Sequence, residues 1–187
     1  MVETISPVVY GGRTKRFWRV WLIHAIAATL AAGAFGSLFG AIGALLGAPW
    51  GTAGLAIVIA AGFVYALRDL IGLKLPLPDL KNQVPEWWRT YFSPEVTSAL
   101  YGVGLGSAFF TSLRYGTYVV VSAAAIASGD PVVGAVVCAP FGIGRAVSLL
   151  ITRLDEADES VSHRLVARAN GTASGLVALG LALALFA

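Results

Sequence analysis

Apolar residues fall into about five long blocks separated by short polar breaks. Crossing the bilayer as a helix takes roughly 20 predominantly apolar residues. The blocks therefore predict spans at 18–46, 51–73, 96–127, 131–151 and 167–187. They imply an all-α, polytopic membrane helix bundle, a single transmembrane domain over 1–187 with two related helical hairpins. The first and third blocks are longer than a crossing requires. Either can tilt, protrude, or break near its glycines to give a sixth pass.

Composition agrees with a lipid environment. With 57% hydrophobic and 12% charged residues and a mean hydropathy of +0.78, the chain has too little polar surface to cover a soluble globule. The net charge of +3 does not point to nucleic acid, because the basic residues sit beside apolar blocks and follow the pattern that orients membrane helices. Arg13, Lys15 and Arg16 precede a long apolar block with no small-residue cleavage site before a polar segment, so this start is expected to be an uncleaved signal anchor. The single cysteine, Cys138, excludes an intramolecular disulfide or a thiolate metal cage.

Charge placement orients the spans. The N-terminal segment holds Arg13, Lys15, Arg16 and Arg19; Lys74, Lys81 and Arg89 follow the second span; Arg153, Arg164 and Arg168 follow the fourth. The connections near Ala48–Gly51 and Gly129–Asp130 carry no Lys or Arg. Basic residues stay cytoplasmic, so the N-terminus is expected inside and the C-terminus outside, in a cell membrane of bacterial inner-membrane type. The short outer connections predict tight antiparallel hairpins. Between the hairpins, three prolines interrupt helix formation, and Trp87, Trp88 and Tyr91, with Phe92, form an aromatic cluster expected to anchor at the interface. The acidic stretch Asp155 to His163 reads as a solvated helix start, and no metal site is expected.

Gly36 and Gly40, Gly43 and Gly47, and Gly102 and Gly106 recur at four-residue spacing, which brings helix backbones close in lipid. Gly33–Phe39 and Gly102–Phe110 are a short echo between the two halves, as in transporters built from repeated hairpins. Arg114 is the outlying charge, deep in the third block. On a continuous helix Thr111, Tyr115, Tyr118 and Ser107 lie on or near its face, and together with Arg145 they make a candidate ligand-binding set. Arg68 and Asp69, being adjacent, are expected to pair elsewhere at the surface. His24 stands alone among apolar neighbours, which argues against haem ligation, and no cofactor is expected.

Ile57 to Leu80, Leu100-Tyr-Gly-Val-Gly-Leu-Gly-Ser-Ala-Phe-Phe-Thr111 and Val136-Val-Cys-Ala-Pro-Phe-Gly-Ile-Gly-Arg145 resemble the latter part of the DsbD/CcdA-type transmembrane thiol-disulfide transporters of cytochrome c biogenesis. The resemblance implies six spans in that family, of which this chain would lack the first. It also implies a redox cysteine pair, but the matching stretch here, Phe110 to Arg114, has no Pro-Cys, and Cys138 falls in the next span. Single-chain thiol exchange is excluded for want of a second thiol.

The resulting expectation is a non-enzymatic membrane protein, with no catalytic residues, on a DsbD/CcdA-like scaffold. In that reading it moves a small solute or anion through a site near Arg114, in contact with the lipid bilayer and with other membrane subunits or further copies of itself. The alternatives are an accessory subunit of a larger membrane complex and a redox helper that uses Cys138 in trans.

Overall fold

The computed structural model describes residues 14–71, 75, 76, 85, 87–108 and 116–154. The described elements are all helical: α1 (Thr14–Leu45), α2 (Gly51–Ile71), α3 (Trp88–Tyr91), α4 (Pro94–Gly106), α5 (Thr117–Ser128) and α6 (Pro131–Leu154). Lys15–Leu45, Gly51–Ile71 and Pro131–Ser148 are each long and apolar enough to cross a membrane, and Thr117–Ser128 is a shorter apolar helix. Leu22, Ile26 and Leu30 on α1, Ile57 and Phe63 on α2, and Val132 and Val136 on α6 are exposed, as lipid-facing side chains are. The protein is an all-α membrane helix bundle. The fifth predicted span, 167–187, and the acidic connection before it lie outside the described residues.

The third apolar block is not one helix. α4 ends at Gly106, Ser107 donates its backbone N–H to Val103 O, and Ala108 takes a left-handed φ of 58° that a helix cannot continue through. α5 begins afresh after Gly116. The single-face arrangement of Ser107, Thr111, Arg114, Tyr115 and Tyr118 presupposed continuity across this interval.

Local chemistry sets the other boundaries. Ser93 caps α4, its Oγ accepting from Val96 N at 3.4 Å, with Pro94 in the first turn where no amide is needed. Asp130 Oδ1 accepts from the Val132 and Val133 amides at 2.7 and 3.1 Å and caps α6 ahead of Pro131. Gly47, Gly51 and Gly129 all have positive φ at the two short turns.

The described residues group into two units. One draws on Met1–Ala32, Asp79–Ser112 and Ala139–Glu159, the other on Gly33–Pro78, Leu113–Cys138 and Ser160–Ala187. α1 and α6 each contribute to both. In the first unit, α1 buries Phe17, Val20, His24, Ala28 and Ala31, a helical stripe that meets α4 and α6. Gly102 and Gly106 of α4 lie against the backbone of His24 and Ala28, and Gly142 of α6 against Ala28 and Thr29. Trp21 Nε1 donates to Ala146 O at 3.1 Å. These pairings make α4 parallel and α6 antiparallel to α1.

In the second unit, Gly36 packs on Gly134, Gly40 on Asp130 and Pro131, and Gly43 on Ile126, with backbone where side chains would otherwise be. The buried stripe of α2 is Gly54, Val58, Gly62, Ala66 and Asp69. Small residues on these stripes allow the close van der Waals contact that holds helices together in lipid.

Candidate functional site

Two buried polar centres stand out, one in each unit. In the first, His24 is wholly buried in α1. Its Nδ1 lies 3.2 Å from Ser98 O of α4. A carbonyl can only accept, so Nδ1 carries the proton, and in the neutral imidazole Nε2 then holds a bare lone pair. Nε2 is buried and has no hydrogen-bond partner among the described residues. Ser98, also buried, donates its hydroxyl to Val20 O at 2.8 Å, which fixes the register of α4 against α1. An imidazole held by one nitrogen, with the other unused, is oriented to accept a proton or to donate its lone pair.

In the second unit, Asp69 has a side chain only 1% exposed and pairs with Arg68 at 2.6 Å. Its other oxygen accepts the backbone N–H of Gly116 at 2.8 Å, so a carboxylate from α2 caps the start of α5. Arg68 Nε donates to Leu75 O at 3.1 Å, which ties in the chain beyond α2. Arg68 and Asp69 therefore pair with each other, and Asp69 lies inside rather than at the surface. Adjacent residues do not share a helix face, but the long arginine stem reaches back to its neighbour where this region ends the helix.

The residues singled out in the sequence are placed as follows. Arg114, Thr111 and Tyr115 lie outside the described residues. Ser107, in the first unit, is buried and donates to Gly104 O at 3.2 Å. Tyr118, in the second, is half-buried with its ring edge-on to Phe39 at 6.4 Å. Arg145, half-buried, holds its guanidinium 5.9 Å from the Phe141 ring centre. Gly36, Gly40, Gly43, Gly102 and Gly106 sit at helix contacts, whereas a Cβ on Gly47 would meet nothing. Trp87 and Tyr91 are exposed, and Trp88 packs on Tyr101 at 5.9 Å. Among the described residues no cluster of three His, Cys, Asp or Glu could hold a metal.

Cys138 occupies the α6 stripe of Gly134, Cys138, Gly142 and Ala146 and is buried, with its thiol 3.7 Å from Val121 O. It serves there as a small packing residue. A thiol so enclosed gives no access to a second thiol in trans.

Comparison with curated proteins finds relatives along most of the chain. The methylamine utilization protein MauF of Methylorubrum extorquens is 32% identical over 193 residues, covering 100% of this chain and 67% of the relative. MauF of Paracoccus versutus is 29% identical over 167 residues, 88% of this chain and 61% of the relative. MauF of Methylophilus methylotrophus is 32% identical over 154 residues, 80% of this chain and 53% of the relative. The chain thus spans about half to two thirds of the length of these relatives. No family model and no solved structure matches it.

These relatives correct the resemblance to DsbD/CcdA-type proteins. Glycine at four-residue spacing is what close helix packing in lipid demands of any bundle, so the shared pattern carried packing rather than ancestry. The solute or anion transporter and the cytochrome c biogenesis role drawn from that scaffold fall with it, since the relatives bear the name of methylamine utilization instead.

Proposed function

The chain belongs to the MauF family of methylamine utilization proteins, and from that premise we propose that it is a membrane-embedded component required for methylamine utilization. The match over 100% of the chain to a relative of that name carries the reading. The apolar helices, long enough to cross a bilayer, supply the setting. We ascribe no catalytic step to the chain itself.

Within this role, the buried Nε2 of His24 has no hydrogen-bond partner among the described residues, and function is expected to depend on it. In an apolar interior an unpartnered acceptor is destabilising by about 1–3 kcal/mol, so stability alone gives no reason to keep it.

The membrane orientation is part of the proposal. α1 starts in a basic segment and ends at a turn without Lys or Arg, and the second such turn meets the first: a Cβ on Gly129 would lie 2.5 Å from Ala48 O. Two turns without Lys or Arg that touch each other support a reading in which both lie on the outer side and α1 starts in the cytoplasm of a bacterial inner membrane.

The test is genetic. Deleting the gene from its host is expected to abolish growth on methylamine while growth on a non-amine substrate continues, and a plasmid copy is expected to restore it. Unimpaired growth of the deletion strain on methylamine would end the proposal.

A further inference from the structure

In the first unit, one end of the helical packing gathers exposed cations and aromatics from distant parts of the chain. The parallel contact of α1 with α4, set by Ser98 Oγ on Val20 O and His24 Nδ1 on Ser98 O, aligns the start of α1 with the start of α4. Arg19 confirms the register, 3.8 Å from Glu95 in the first turn of α4. α3 is held to the same end by Thr97 Oγ1, which donates to Trp88 O at 3.1 Å, and by the Trp88–Tyr101 ring contact. Lys15, Arg16 and Arg19 of α1 thereby share an end with Arg89 of α3, and all four are exposed.

Aromatic rings surround these charges. Trp18, Trp87, Tyr91 and Phe92 are 49, 54, 77 and 42% exposed. Trp87 makes edge-on contacts with Trp88 and Tyr91 at 6.3 and 5.9 Å, forming a small aromatic ledge. Exposed rings of this kind settle at the depth of lipid headgroups. Glu95 lies 3.8 Å from Arg19, whose side chain is 70% exposed, and so loose and solvated a pair leaves most of that guanidinium's charge in play.

We propose that this end of the first unit is a binding surface for anionic phospholipid, with Lys15, Arg16, Arg19 and Arg89 on the lipid phosphate and Trp18, Trp87 and Tyr91 seated among the glycerol and upper acyl groups. Charge complementarity selects this occupant. Cations at headgroup depth beside an aromatic ledge match a phosphodiester carrying net negative charge, whereas a zwitterionic headgroup brings its own cation to the same place. Guanidinium groups also bind phosphate oxygens through paired donors, which ammonium groups do not.

The test uses the full chain purified in mild detergent, then offered phosphatidylglycerol or phosphatidylcholine, with retained lipid counted by native mass spectrometry. The expected result is a retention of phosphatidylglycerol at least about threefold above phosphatidylcholine, falling as salt rises from low to high ionic strength. The variant with Arg16→Gln, Arg19→Gln and Arg89→Gln is expected to lose that preference while keeping wild-type helix content. Should the triple variant misfold, the single Arg89→Gln and Lys15→Gln variants are expected to lower the preference partway. Equal retention of the two lipids by the wild type, or a preference unchanged in well-folded variants, would overturn the proposal. Inorganic phosphate competing as well as phosphatidylglycerol would do so too, since it would show a free-phosphate site instead of a lipid one.

Discussion

At the residue scale, His24 and Asp69 show opposite economies of a buried polar group. Asp69 is fully engaged, accepting from Arg68 at 2.6 Å and from the Gly116 amide at 2.8 Å. Removing it takes the ion-pair partner from a partly buried guanidinium and uncaps α5 at once. Asp69→Ala is therefore expected to destabilise the protein by about 3 kcal/mol, measured as a lowered thermal midpoint in detergent. His24 is half engaged. His24→Leu loses the bond to Ser98 O but also removes the orphaned Nε2, so its thermal midpoint is expected to stay level or rise by the equivalent of about 1 kcal/mol. Growth on methylamine is expected to fall all the same. A large loss of stability in this variant would mean that His24 is a structural tie and would remove it from the functional account. Neither residue's role was legible in the sequence. Asp69 looked like a surface charge because its partner amide is 47 residues away, and His24 looked solitary because Ser98 approaches it from another helix.

Among the elements, length and apolarity sufficed for some helices and not for others. α1, α2 and α6 begin and end within a few residues of the blocks at 18–46, 51–73 and 131–151, because a long apolar run has one low-energy answer in hydrocarbon. The block at 96–127 reads as continuous because hydropathy registers composition and not backbone conformation. The Gly-rich end of α4 and the left-handed Ala108 divide it. Glycines were legible as packing residues by spacing, yet the contact that each makes depends on the register between helices. That register gives a contrast to test. Gly40 faces backbone at Asp130 and Pro131, while Gly144 faces open space. Gly40→Leu is expected to abolish the monodisperse, folded protein in size-exclusion chromatography. Gly144→Ala is expected to be neutral or to add about 0.5–1 kcal/mol through helix propensity. Equal behaviour of the two variants would contradict the packing described for α1 and α6.

For the whole molecule, charge asymmetry and kinship act together. The two turns without Lys or Arg that meet at Ala48 and Gly129 predict that a periplasm-active reporter inserted at either turn is active, and that one fused ahead of α1 is not. The opposite pattern would reverse the orientation. Membrane residence was legible from composition, since little else tolerates 57% hydrophobic residues. Family was not, because a bundle's glycine spacing is imposed by the solvent that surrounds it and recurs in unrelated chains. The most direct measurement is growth on methylamine of a strain lacking this gene, with and without a plasmid copy, beside growth on a non-amine substrate. The account predicts no growth on methylamine without the copy, recovery with it, and no difference on the other substrate. Equal growth on methylamine in both strains would contradict it.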